Sequence, residues 1–149
     1  MAITASGLYV TNFIDSFDTT QLAINLDLET HKVALFLDAL APNFSTDVTY
    51  SATNEVPNGG GYTTGGQVLT GTVFTEAVTG SAVFDATDAA WASSTIANAM
   101  AAVIYADALA DQLIVLSDFV TAVSTTSGTL TVQWAAPGSG GIFNFDLTP

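Results

Sequence analysis

Two pairs of acidic residues are the first candidates for chemistry in this chain of 149 residues. Asp85 and Asp88 are the first and last residues of the motif "DATD", and Asp107 and Asp111 are the first and last residues of "DALAD". Paired carboxylates can hydrolyse a glycosidic bond when they face each other across a sugar, one as the acid and the other as the nucleophile or base. They can also bind Ca²⁺, but the Asp-x-Asp-x-Asp-Gly loop of such sites does not occur here. Spacing alone places neither pair across a substrate, so we interpret these acids as solvated loop residues.

The stretch "NEVPNGGGYTTGGQVLTG", residues 54–71, has the glycine content of a phosphate-binding loop. A P-loop needs a lysine and a Ser or Thr directly after its last glycine, whereas the only lysine, Lys32, lies far upstream. The residues after Gly66 alternate like a strand, so no helix N-terminus follows to hold an anion. We therefore expect residues 59–61 and 65–66 to adopt positive φ in two successive turns around Tyr62.

His31 is the only histidine, and the chain has no cysteine. A Ser-His-Asp triad would have to be built on His31, but the nucleophile motif Gly-x-Ser-x-Gly is not matched. The sequence thus predicts no enzymatic activity, no catalytic residue, no cofactor and no metal site. One alternative with binding chemistry is a carbohydrate-binding module for host recognition, in which Trp91 would stack on a sugar beside "DATD".

The charge balance excludes several classes of partner. The chain has one Lys or Arg residue and fourteen Asp or Glu residues, which give a formal net charge of −13. Phosphate backbones are bound chiefly by Lys and Arg, so we expect no nucleic-acid partner, and an anionic membrane surface is disfavoured for the same reason. High net charge instead keeps a protein soluble at high copy number. We expect Lys32 to pair with a carboxylate of this chain or of another subunit.

Most of the chain is patterned as short strands. The apolar run at residues 33–37 predicts a buried strand, and the alternation after Gln67, broken by Gly71 and Gly80, predicts strands joined by tight turns. The alanine-rich stretch that follows predicts a turn and then a long strand ending at Tyr105. Three further strands are predicted in "QLIVLSDFV", "GTLTVQWA" and "GIFNFDLT", with a hairpin loop at residues 136–141 between the last two.

This pattern predicts a mainly β fold, an antiparallel β-sandwich of jelly-roll or immunoglobulin-like type, as one domain over residues 1–149. Residues 1–21 are predicted to form a short helix or an N-terminal arm. Because chain ends can reach across to a neighbour, Leu8, Tyr9, Phe13 and Phe17 are the candidate contacts with a partner.

Four motifs occur in an order that resembles a group of small β-rich virion proteins of tailed bacteriophages. They are "KVALFL", "NEVPNGGGYTTGGQVLTG", "FDATDAAWASSTIANAMAAVIY" and "LIVLSDF". The resemblance spans roughly Leu22 to Leu147 and implies a structural role without enzymatic residues. This chain departs from the group at Asn98, Met100 and Ala106, where such proteins often carry basic residues.

The resemblance implies a capsid cement or decoration protein on the outer surface of the virion. Its partner would be the major capsid protein or another virion protein, and it would form a small homo-oligomer such as a trimer. A tail, collar or fibre-associated virion protein is the alternative that the same resemblance allows.

Overall fold

The structure, a computed structural model, describes residues 3–27 and 30–148. This part of the chain is mainly β and contains one short α-helix, which lies near the N-terminus. No helix within it is long and apolar enough to cross a membrane. The strands are β1 (Gly7–Leu8), β2 (His31–Leu37), β3 (Gln67–Val68), β4 (Val73–Val78), β5 (Ser81–Asp85), β6 (Ala89–Ser94), β7 (Ala99–Ala106), β8 (Gln112–Val123), β9 (Gly128–Val132) and β10 (Phe143–Asp146); the helix is α1 (Val10–Asp15), and a 3₁₀ turn spans Pro137–Ser139.

The central sheet has five antiparallel strands in the order β1-β8-β7-β2-β3. Its middle strands, β2 and β7, are almost wholly buried because both faces of the sheet are covered. Along β2, Val33 and Leu35 enter one core cluster while Ala34 and Phe36 enter the other. Burial on both faces explains why this strand reads as a continuous apolar run rather than as an alternating one.

Two smaller antiparallel sheets, β10-β5-β4 and β6-β9, contribute to the core on one face of the central sheet. Phe84 from β5, Trp91 from β6 and Leu130 from β9 share a cluster with Leu35 and other residues of the central sheet. The predicted mainly β, antiparallel fold with a short N-terminal helix is confirmed, and its layering is sandwich-like. The jelly-roll or immunoglobulin-like type stays a prediction.

The predicted hairpin at residues 136–141 is wrong. β9 pairs with β6, whereas β10 pairs with β5 in a different sheet. The chain crosses between the two sheets through the 3₁₀ turn, after which the Ile142 N–H donates to the Phe84 carbonyl at 2.8 Å. The two strands on either side of this glycine-rich loop are therefore not partners. A local sequence pattern predicts that strands are present, but it does not identify the strand with which each one pairs.

The glycine-rich stretch forms the two turns that the sequence predicts, with positive φ at residues 59–61 and 65–66. Gly66 has a φ of 71°, and a Cβ there would lie 1.9 Å from the Val33 carbonyl oxygen. The chain can pass this close to β2 only without a side chain. These glycines thus fit a turn against the central sheet.

The side chain of Tyr62, between the two turns, completes the edge of β2. β3 covers the start of this edge, and residues 54–56 cover its end through the bonds Val56 N–H to Leu35 C=O and Leu37 N–H to Asn54 C=O. In between, the Leu35 N–H donates to the Tyr62 hydroxyl at 2.9 Å. The hydroxyl therefore accepts the hydrogen bond that a neighbouring strand would otherwise accept. Without it, the Leu35 N–H would be buried without a partner.

The Tyr62 hydroxyl in turn donates to Glu55, a carboxylate that is only 7% exposed. The same carboxylate accepts the Tyr50 hydroxyl and the Gly65 N–H. Burial, together with the neighbouring carboxylate, raises the pKa of Tyr50 and of Tyr62, so both remain protonated donors. Glu55 is thus held by three neutral donors and by no cation among the described residues.

Replacing Tyr62 by Phe should lower the free energy of unfolding by about 2 to 4 kcal/mol, because the Leu35 N–H and the Glu55 carboxylate each lose a partner in the interior. Urea denaturation at pH 7, followed by tryptophan fluorescence, measures this loss. Tyr50→Phe is the matched control, since it removes one donor at a half-buried ring and should cost about 1 kcal/mol. Equal costs for the two variants would contradict the proposed role of Tyr62.

His31, at the start of β2, is buried with its ring edge-on to Phe84. Its Nε2 lies 2.9 Å from the Asn25 carbonyl oxygen, and Nδ1 has no hydrogen-bond partner within the described residues. Burial lowers the pKa of His31, and the bond to Asn25 opposes this only in part. The neutral ring, with its proton on Nε2, is therefore the form that fits the fold.

Because the pKa of His31 is lower in the folded chain than the ordinary value near 6.5, the unfolded chain binds more protons in the range just below that value. The wild type should therefore lose stability relative to His31→Gln as the pH falls from 7.5 to 5, where the amide of Gln can still donate to Asn25. Urea denaturation of both proteins across this range isolates His31, since every carboxylate is common to the two. A difference that is constant with pH would refute this.

Candidate functional site

The four residues predicted to contact a partner divide into two pairs. Leu8 pairs with Val115 of β8, and Tyr9 is 3% exposed and packs on Phe44 at a ring distance of 5.4 Å. Residues 7–9 are thus part of the fold rather than a free arm, which corrects that prediction and removes Tyr9 as a surface contact. Residues 1 and 2 of the predicted arm lie outside the described residues. Phe13 and Phe17, by contrast, are exposed.

Helix α1 is held in place by one polar residue. The buried Asn12 side-chain amide donates to the Val48 carbonyl at 2.6 Å and to the Leu113 carbonyl at 2.9 Å. The Tyr9 N–H adds a bond to the Ile114 carbonyl at 3.1 Å. Because the helix is fixed through these bonds, Phe13 on the helix and Phe17, two residues after its end, are presented in a defined position.

Those side chains face an aromatic row on the three-stranded sheet. Register places Phe74 of β4, Phe84 of β5 and Phe143 of β10 opposite one another across the sheet. Phe145, two residues after Phe143, lies on the same face of the sheet. Its ring is 5.2 Å from Phe13, so the row reaches the helix.

Between the helix and this row lies a cleft of about 500 Å³, which we call the aromatic cleft. Phe17 lies at its mouth with 79% of its side chain exposed, and its ring is 5.1 Å from that of Phe13. The lining residues used below are Phe13, Phe17, Asp27, Phe74, Phe143 and Phe145. Exposed aromatic side chains that converge on one concave surface are typical of a binding site.

The aromatic cleft ends at β4, an edge strand that is paired on one side only. All six residues of β4 are exposed, and within the described ranges β5 is the only strand that pairs with it. The N–H of Phe74 donates to the carboxylate of Asp27, so this edge begins with a polar group that is already satisfied.

The sole cation lies elsewhere. Lys32 Nζ is 2.9 Å from Asp107 Oδ1, with both side chains partly exposed, so its partner is a carboxylate of the same chain. Two of the acids that the sequence grouped have different partners, since Asp88 accepts the backbone N–H of Trp134 at 2.9 Å while Asp107 pairs with Lys32. Across residues 3–27 and 30–148, no group of three or more His, Cys, Asp or Glu side chains is placed to hold a metal ion.

Trp91 is 6% exposed and packs against Tyr62 with the ring centroids 5.9 Å apart. It cannot stack on a sugar from this position. The prediction that Trp91 forms a carbohydrate platform is therefore wrong, because its strand turns the indole into the core between the sheets.

Sequence reasoning identified the helix side of the cleft but missed Phe74, Phe143 and Phe145. The alternation in "IFNFDL" predicted that Phe143 and Phe145 share one face of a strand. Which strands would lie beside them could not be read from that pattern, because the row depends on pairing between residues about 60 to 70 positions apart in the chain.

No protein-family model, curated protein or solved structure matches this chain.

Replacing Phe17 by Ser should reduce binding of a neutral apolar dye such as Nile red, because the mouth of the aromatic cleft loses its largest exposed side chain. Stability should change by no more than about 0.5 kcal/mol, since the ring is mostly in solvent. Dye fluorescence and urea denaturation check the two parts. Val120→Ser is the control, because Val120 is also 79% exposed but lies on β8, outside the cleft lining. Equal loss of dye binding in both variants would show that the cleft is not the dye site.

Proposed function

We propose that this protein is a structural protein of a phage virion, a cement or decoration protein that binds the outer surface of the capsid through the aromatic cleft. Two things support the proposal: the ordered motifs that resemble small virion proteins, and an exposed aromatic surface held on a rigid β framework. The second is the observation that carries it, because adhesion between folded surfaces needs apolar area that is already in place.

Phe13 and Phe17 have the properties of interface anchors. Their rings are exposed in the free chain, contact each other at 5.1 Å and lie above side chains that are fixed by strand pairing. Complete burial of a phenylalanine stabilises a complex by about 1.5 to 3 kcal/mol, and aromatic residues are enriched among those that dominate interfaces. Little energy is lost in ordering such a surface, because the helix beneath it is already bound to the sheet.

The net charge of −13 suits a protein present in many copies. Like charges keep free copies apart. A small homo-oligomer, such as a trimer, is part of this proposal. A tail, collar or fibre-associated station would use the same adhesive surface and differs in copy number.

Quantitative mass spectrometry of particles, purified from lysates of the cells that make this chain, tests the proposal. A protease that cleaves at aspartate is required, since the chain offers one lysine and no arginine to trypsin. We expect hundreds of copies per particle, in fixed ratio to the major capsid protein. A handful of copies would favour the tail or collar station, and absence from purified particles would refute a virion role.

The Phe17→Ser variant tests whether the aromatic cleft is the surface that binds the particle. Added back to particles stripped of the protein, it should bind about ten- to a hundredfold more weakly than the wild type, the equivalent of one buried phenylalanine. Val120→Ser should bind as the wild type does. Full occupancy by Phe17→Ser would reject the aromatic cleft as the contact surface.

A further inference from the structure

The outer edge of β4 carries unpaired backbone groups that a second strand could use. The Phe74 N–H points to Asp27 rather than to β5, and the polar groups of an antiparallel strand alternate in direction. The same alternation directs the carbonyl of Phe74 and the N–H of Glu76 away from β5, up to the register shift between Glu76 and Val78. Within the described residues β5 is the only strand that pairs with β4, so no strand lies on this side.

We propose that this edge accepts an extended segment of another protein as a fourth strand, and that the segment carries both apolar residues and Lys or Arg. The inference rests on the proposed function only in locating the contact at the aromatic cleft. It adds the chemistry of the partner, namely main-chain pairing with β4, apolar side chains over the cleft and cationic side chains among its carboxylates.

The apolar requirement follows from the aromatic row. Phe143, Phe84 and Phe74 occupy one face of three successive strands, and the row stops at Phe74 because β4 is the last strand. A residue paired opposite Phe74 would extend the row by one side chain. That side chain would lie at the mouth of the cleft, within reach of the exposed Phe17.

The cationic requirement follows from the charges around the cleft. Asp27 lines the cleft, Asp15 is the last residue of α1, and Glu76 lies two residues after Phe74 on the same face of β4. The chain's only Lys or Arg is bound to Asp107 and does not line the cleft. A partner segment that buried this apolar surface would be attracted only if it brought positive charge itself.

The same charges disfavour a second copy of this chain as the occupant. Pairing β4 with β4 would bring two Glu76 side chains to the middle of one short ladder, in addition to the general repulsion between two chains of −13. Glu76 also keeps its position on the strand, because its carboxylate accepts the Gly80 N–H at 2.8 Å. A charged residue at a strand edge is a common protection against self-association.

Selection from a displayed library of random peptides about ten residues long, a typical strand length, tests this with the isolated full chain as bait. We expect enriched peptides to combine apolar residues with Lys or Arg, and their affinity to fall as salt rises. The amide of Glu76 should exchange with deuterium more slowly when such a peptide is bound. Enrichment of acidic peptides, no enrichment, or unchanged exchange at Glu76 would overturn the proposal.

Two variants at one position separate backbone pairing from charge. Glu76→Pro removes the outward N–H without removing a bond to β5, whereas Glu76→Gln removes the charge and keeps the N–H. The selected peptide should bind Glu76→Pro roughly tenfold more weakly than Glu76→Gln, the effect of one backbone hydrogen bond. Equal affinities would overturn strand addition; should Glu76→Pro fail to fold, the exchange of the Glu76 amide decides alone.

This experiment is independent of the particle assay. Peptides selected as described, with no copies in purified particles, would leave the strand-accepting edge in place and refute the virion role. High copy number in particles, with no such peptides selected, would support the virion role and refute the strand-accepting edge.

Discussion

The shortage of positive charge is the constraint on which the structure depends. With one Lys for fourteen carboxylates, the fold cannot neutralise its acids by ion pairs. Hydrogen bonds from neutral donors stabilise several of them instead: Glu55 accepts two tyrosine hydroxyls and an amide, Asp27 accepts the Phe74 N–H, and Asp88 accepts the backbone N–H of Trp134. A buried carboxylate costs several kcal/mol unless it is hydrogen-bonded in this way. Glu55 is the clearest case, because its donors also close the edge of the central sheet.

The same constraint shapes the outer surface. Lys32 is already bound to Asp107, so the chain has no further Lys or Arg to offer a partner. The aromatic cleft supplies apolar area, and the acids around it supply a field of one sign. The proposed attachment would therefore require that the other protein bring the positive charge.

Sequence patterns predicted the local elements well and the long-range contacts poorly. The apolar run of β2, the alternation of β4 and β5 and the positive φ of Gly65 and Gly66 all follow from neighbouring residues. Strand partners do not, which is why the hairpin at residues 136–141 was wrongly predicted and the aromatic row was missed.

Burial was likewise hard to predict near the chain's N-terminus and at Trp91. Tyr9 lies in the core because residues 7–8 add a strand to β8, a pairing across more than a hundred positions. The short helix, one of the two forms predicted for residues 1–21, is present as α1, since helix spacing depends on residues close in sequence.

A reconstruction by cryo-electron microscopy of the proposed particle, at a resolution that separates strands, would show the contact surface of this protein. We expect Phe17 to be buried and a strand of another protein to lie beside β4. Phe17 and the β4 edge facing solvent, with a different surface in contact, would contradict both proposals.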